Sequence, residues 1–252
     1  MKLENTTFKK LSFTFTLASA LFLGSCDTLS QLSKALDLGT PTESEINSGL
    51  KEALEYGTSY ASERLSKEDG YLGNLAIKIA FPEEAKKVEN TLRSLGLGSL
   101  CDQVITSVNR AAEDAAIEAK PIFVAAIKDM SIADVKNILL GADNAATKYF
   151  ENKTTNSLEG KFKPIIESSL TKVGATKYWS DVITRYNKIP LMTPIEADLS
   201  KYVTQKAIDG LFYEIAKEEL KIRENVAARS TVLLQKVFGY AERAKSGTGT
   251  GL

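Results

Sequence analysis

Prolines and capping signals set the length of almost every element this chain can form. The six prolines stand at 41, 82, 121, 164, 190 and 194, and none of the pieces between them is bounded by the dense turn chemistry that a β-sandwich needs. A proline is tolerated in the first helical turn, where its missing N–H would be unpaired anyway, and it ends or kinks a helix elsewhere. Thr40-Pro41-Thr42-Glu43 and Thr193-Pro194-Ile195-Glu196 both read as a Thr N-cap, a Pro at the first helical position and a Glu at the third. Ser131-Ile132-Ala133-Asp134 is a weaker box, with Gly141 as the stop for its helix. These signals predict helices over 42–67, 83–95, 99–128 with a break at Pro121, 131–140, 143–153, 157–173, 175–187, 195–223 and 226–238. Ile77, Ile79 and Phe81 alternate as a strand would, but the run is too short and isolated to build a sheet. The expectation is an all-α fold, a single bundle domain of about nine helices over 41–240, followed by a flexible tail over 241–252.

Composition removes much of the chemistry open to such a bundle. There is no histidine, and 32 basic residues balance 32 acidic ones. Ser-His-Asp and Cys-His nucleophile systems, His-ligated zinc and imidazole acid–base chemistry are therefore excluded. A balanced charge also argues against nucleic acid as a partner, because that binding rests largely on counterion release.

The N-terminus reads as an address. Lys2, Lys9 and Lys10 precede an apolar run from Leu11 to Leu23 that is short for a membrane span, and the run closes on Leu23-Gly24-Ser25-Cys26. That ending resembles the bacterial lipobox. The resemblance implies a signal peptide over 1–25, cleavage before Cys26, a diacylglycerol on the Cys26 thiol and a further acyl chain on Cys26, and a tether over 26–40. The chain is then expected in the bacterial cell envelope, anchored to the inner or the outer membrane, with no other cofactor. Cys101, the one cysteine left, is expected to be a small buried hydrophobe.

Two helices carry polar groups that need an account. Leu100, Val104, Val108, Ala111, Ala112, Ala115 and Ala119 share one stripe of the 99–128 helix, and small residues there let a neighbour come close. Asn109, Arg110 and Glu113 lie beside that stripe. In the 195–223 helix Thr204, Ile208, Leu211, Ile215 and Ile222 form the apolar face, with Glu218 close to its centre and Glu219 at its edge. A carboxylate turned into a core must be paired or hydrogen-bonded; Arg110 and Arg223 are the expected partners of Glu218. Asp69-Gly70-Tyr71-Leu72-Gly73 reads as a turn, and Phe150, Phe162, Tyr178, Trp179, Tyr186, Tyr202, Phe212 and Tyr213 as core.

The run Asn109-Arg110-Ala111-Ala112-Glu113, Pro121-Ile122-Phe123, Ile138-Leu139-Leu140-Gly141, Ala145-Ala146-Thr147 and Tyr149-Phe150 carries a resemblance. With Gly210-Leu211-Phe212, Glu218-Glu219, Ile222-Arg223, Arg229 and Val237-Phe238-Gly239, it resembles the bacterial lipoprotein family catalogued as domain of unknown function 4197, over roughly residues 46–239. The resemblance implies an envelope protein without assigned activity and brings no catalytic or metal-binding residues. It also favours reading Asn109, Arg110, Glu113, Glu218, Glu219 and Arg223 as a polar network or ligand site rather than as surface charge. Two functions follow: a non-catalytic, lipid-anchored protein that binds a protein partner or an apolar ligand, or an enzyme using the Glu/Arg cluster with a divalent cation held by oxygen ligands. Converging carboxylates in an open cleft would favour the enzyme, and a closed, fully paired network the binding protein.

Overall fold

The computed structural model describes residues 39–187, 194 and 198–247. The described chain is all-α, without a strand, and residues from Thr40 onward form one compact unit. The helices are α1 (Glu43–Leu65), α2 (Lys86–Ser94), α3 (Gly98–Ala116), α4 (Ala119–Lys128), α5 (Ile132–Leu140), α6 (Ala145–Lys172), α7 (Ala175–Tyr186), α8 (Leu199–Glu224) and α9 (Val232–Lys245), with 3-10 turns at Glu83–Ala85 and Val226–Ala228. The most extensive packing is of α6 against α8 and α3, and α1 lies against α4, α8 and α9. Ala111, Ala112, Ala115, Ala116 and Ala119 are all fully buried, so the alanine stripe does bring α3 close to its neighbours.

Several helix ends differ from expectation for identifiable reasons. The first capping box is built two residues later than predicted: Thr42 is the N-cap, Glu45 N donates to Thr42 Oγ1 (3.2 Å) and Thr42 N donates to Glu45 Oε2 (2.8 Å). This shift moves Pro41 in front of the cap and makes Ile46 the fourth helical residue, where apolar side chains at those two places brace a helix start; both are buried. The Ser131 box forms as predicted. The break near Pro121 falls at 117–118, which leaves Pro121 in the first turn of α4, where no backbone donor is missed. Predicted helices 143–153 and 157–173 are one helix: Thr154 and Thr155 donate to Phe150 O (2.7 Å) and Glu151 O (2.6 Å), so the polar run satisfies itself inside the helix. The buried stripe Phe150, Thr154, Leu158, Phe162, Ile166 and Leu170 passes through it unbroken.

At the C-terminal end, α8 starts at Leu199 with Asp198 accepting from Lys201 N (3.0 Å). Thr193, Ile195 and Glu196 of the second predicted box lie outside the described residues. The last helix begins at Val232 rather than 226, capped by Thr231, and runs to Lys245, into the segment expected to be a flexible tail. Its length follows from packing, since Tyr240 and Ala241 are buried. Of the aromatic residues expected in the core, Phe150, Phe162, Trp179 and Phe212 are buried and Tyr202 is half-buried, while Tyr213 is 43% exposed; the side chains of Tyr178 and Tyr186 lie outside the described residues.

Candidate functional site

Position along α8 decides which polar groups meet the core. Leu211, Glu214, Glu218 and Ile222 recur at three- and four-residue spacing, so two carboxylates share the inward face with apolar side chains, and Glu219 and Arg223 sit at its edge. All four charged residues are buried. At that edge α8 crosses the corner between α5 and α6. The N-terminus of α6 has no side-chain cap of its own, Asn144 making none. Glu219 supplies it from another helix: its Oε1 accepts from Ala146 N (2.9 Å), and its Oε2 from Thr147 N and Thr147 Oγ1 (both 2.8 Å). Arg223 donates through Nε (3.0 Å) and Nη2 (2.8 Å) to Glu219 Oε1, and through Nη1 and Nη2 to Leu139 O (3.1 Å) and Ile138 O (2.7 Å) at the end of α5. The carboxylate thus sits at the positive end of one helix and the guanidinium at the negative end of the next. Arg229 repeats the device on α8 itself, donating to Ile222 O (3.0 Å) and Arg223 O (2.6 Å) and pairing with Glu242.

A second polar group holds the strap, the non-helical residues 66–82 after α1. Ile77, Ile79 and Phe81 are buried in alternation with exposed neighbours, as the sequence pattern implies, yet no strand among the described residues lies beside them. Asn109 takes that place. Its Oδ1 accepts from Ile79 N (2.9 Å) and its Nδ2 donates to Ile79 O (2.8 Å), the bidentate pairing a neighbouring strand would offer; Nδ2 also donates to Ile105 O (2.7 Å). One turn on, Glu113 Oε1 accepts from Tyr71 N (3.0 Å) and Leu72 N (3.1 Å), while Oε2 accepts from Arg110 (2.6 Å), which also reaches Asp69 (2.8 Å) and Glu68 (3.2 Å). From α8, Glu214 accepts from Asn74 Nδ2 (2.9 Å) and pairs with Arg64 and Lys217. Tyr71 is fully buried and donates its hydroxyl to Ala207 O (2.7 Å); burial first, then the Glu113 and Glu214 charges, push the phenol pKa up. Its ring occupies the space a Cβ at Gly210 would need, 2.8 Å from that position.

The six residues expected to form one network are therefore divided. Asn109, Arg110 and Glu113 serve the strap, and Glu219 and Arg223 the α5–α6 corner. Glu218 has neither expected arginine, both being engaged elsewhere, and pairs with Lys221 (3.2 Å). Among the described hydrogen bonds and ion pairs none joins the groups. Glu214 and Asn74 escaped the sequence reading, although Glu214, three residues after Leu211, lies on the stripe that identified Glu218; Tyr71 entered it only within a turn, and Arg229 only as an arginine in the stretch that resembles the family. Cys101 is buried as expected, and burial raises its thiol pKa. Cys26 lies outside the described residues.

An open groove of about 800 Å³ lies between α4 and α6, lined by Ile122, Ala126, Tyr149, Lys153 and Gly160 among others, with none of the six residues in its walls. Arg223 borders a smaller one of about 400 Å³ beside Phe238 and Glu242. Between α1, α6 and α8 an apolar void of about 20 Å³ touches Gly57, Glu219 and Arg223, room for about one water. No group of three or more Cys, Asp or Glu side chains suited to a metal ion occurs among the described residues.

Comparison with known proteins yields one match: a family described as a protein of unknown function, DUF4197, aligns with residues 40–239. No curated protein and no solved structure matches.

Proposed function

The chain belongs to the DUF4197 family of proteins of unknown function, and from that premise we propose that it is a non-catalytic binding protein of the bacterial cell envelope, tethered to a membrane through lipid on Cys26. The observation that carries the non-catalytic reading is the fate of its buried charges. Glu113, Glu219, Arg223 and Arg229 are all engaged with backbone groups of neighbouring segments. A general acid or base must reach substrate within hydrogen-bond distance, and groups committed in this way are closing the fold instead. The enzyme reading, with a cation on the Glu/Arg cluster, would need those carboxylates to converge, and they serve two separate parts of the molecule. Between the two ligand classes a protein partner is favoured: the enclosed apolar void, at about 20 Å³, is far below the few hundred Å³ that small-molecule sites occupy, and the groove of about 800 Å³ is open and carries Glu118, Asp129, Asp134, Lys153 and Lys161 in its walls, which suits a polar protein surface more than an apolar ligand.

The lipid anchor supplies the membrane attachment in this reading. No helix among the described residues is long and apolar enough to cross a membrane, while acyl chains contribute about 0.8 kcal/mol per buried CH₂. Replacing Cys26 with Ser is expected to shift the protein from the membrane fraction to the soluble envelope fraction. Retention of the variant in the membrane fraction would overturn the anchor.

A further inference from the structure

The outward face shared by α1 and α8 combines two residue types that belong together at one kind of surface. Tyr56 and Tyr60 lie one turn apart on α1, 50% and 39% exposed, with ring centroids 6.2 Å apart and planes within 18°. Lys221 of α8 stands over the Tyr60 ring at 5.5 Å, and Lys217 over Tyr213 at 5.6 Å. The charges are layered. The Glu214 and Glu218 side chains are 1% and 8% exposed, whereas the cations above them, Arg64, Lys217 and Lys221, are 45–49% exposed. In these pairs the acid is sunk into the protein and the base looks out between tyrosines; of the exposed acids nearby in sequence, Glu55, Glu63 and Glu224, Glu63 is paired with Lys120.

We propose that this face rests on the headgroup layer of an anionic bilayer. Tyr rings settle at membrane–water interfaces with an apolar body and a polar tip, lysines extend above an apolar surface to reach polar headgroups, and each cation near an anionic surface adds attraction. The proposal rests on the anchored reading of Cys26 for its geometry. The segment from Cys26 to Thr42, fully extended at about 3.3–3.6 Å per residue, reaches at most about 55 Å, little more than the roughly 40 Å breadth of a domain of this size. A domain so held meets the bilayer at high effective concentration. One face must meet it most often, and this one has the chemistry to stay.

The test uses the Cys26→Ser protein without residues 1–25, which carries neither an acyl chain nor the apolar run from Leu11 to Leu23 and keeps the compact unit from Thr40 onward whole, so the patch is measured apart from the anchor; acylation of Cys26 in the wild-type protein is followed separately by a labelled fatty acid. Flotation with phosphatidylglycerol-containing vesicles at millimolar lipid should carry the protein up, less so with phosphatidylcholine vesicles and less again at high salt. Lys217→Gln with Lys221→Gln should weaken binding by about tenfold and flatten its salt dependence, and Tyr56→Ser with Tyr60→Ser should weaken binding to both vesicle types. Because Lys217 and Lys221 also pair with the buried Glu214 and Glu218, some loss of melting temperature is expected of their variant, and flotation is read below every variant's melting transition, where all of them are folded. Absence of vesicle binding, or variants that float like the parent, would overturn the proposal whatever the acylation result, and a failure of acylation alone would overturn only the anchor.

Discussion

At the α5–α6 corner the groups left without partners are helix ends, and a full charge pair from α8 answers them; along the strap they are the sides of an extended chain, and a neutral amide answers them. The difference follows from the backbone being served. Helix ends carry the unbalanced partial charges of aligned peptide dipoles, so a carboxylate suits the start of α6 and a guanidinium the end of α5. An extended segment has almost no net dipole, its donors and acceptors alternating, so Asn109, with one acceptor and two donors in a plane, matches Ile79 without importing charge. Where the strap turns, at Tyr71 and Leu72, two neighbouring N–H groups point the same way, and there the carboxylate of Glu113 takes over.

The corner should be the more costly to break. Glu219→Ala strands a guanidinium whose side chain is 7% exposed, and removing one partner of a buried pair costs about 3–5 kcal/mol. Glu218→Ala, one residue away, releases only a half-exposed Lys221 and should cost about 1 kcal/mol or less. Denaturant melts of the two variants measure the contrast directly. Equal losses would mean that the α5–α6 corner is not held by the pair, and would reopen the site to a functional reading.

On the strap side, Asn109→Ala leaves both backbone groups of buried Ile79 unpaired, for an expected cost of at least about 2 kcal/mol at 1–3 kcal/mol per stranded group. Hydrogen exchange locates the damage. The Ile79 amide should exchange faster while amides at the start of α6 keep their protection, and a uniform rise across both would show that strap and corner are one cooperative unit.

Two glycines of similar helical setting sharpen the comparison with opposite signs. A Cβ at Gly210 would lie 2.8 Å from the Tyr71 ring and 3.2 Å from Ile77 Cβ. Tyr71 is pinned by its hydroxyl and its backbone, so Gly210→Ala should destabilise by about 1–3 kcal/mol through overpacking. At Gly57, beside the small void and the corner, the nearest atoms to a new Cβ are at 3.8 and 4.0 Å. Gly57→Ala should therefore stabilise by about 0.5–1 kcal/mol, the ordinary helix gain. Shifts in melting temperature give both signs, and a loss at Gly57 would mean that α1 and α8 are more tightly packed there than the void indicates.

Periodicity was enough to place most helices, to bury the alanine stripe and Cys101, and to mark Glu218 and Glu219 as charges near a core. These are properties of single helices, set by a repeat of about 3.6 residues and by local caps. Thr40-x-x-Glu43 and Thr42-x-x-Glu45 both satisfy the capping pattern, and the second is the one built, with Pro41 and Ile46 buried around it. The gap expected between helices 143–153 and 157–173 does not open, because the Thr154 and Thr155 hydroxyls each return to a carbonyl of their own helix.

Partner choice lay beyond any single helix. Glu218 projects nearer the centre of the α8 stripe than Glu219, yet Glu219 takes the arginine, because the α5–α6 corner arrives at that edge with a bare helix start on one side and unpaired carbonyls on the other. Asn109 read as a polar residue beside a stripe, and its task depends on an extended segment from elsewhere in the chain coming to lie against α3. Sequence determined the helices, their buried faces and the absence of imidazole chemistry, since each follows from composition or from contacts a few residues apart. Which orphaned backbone group met which side chain was decided only in the tertiary structure, because those donors and acceptors come from segments that folding alone brings within hydrogen-bond distance.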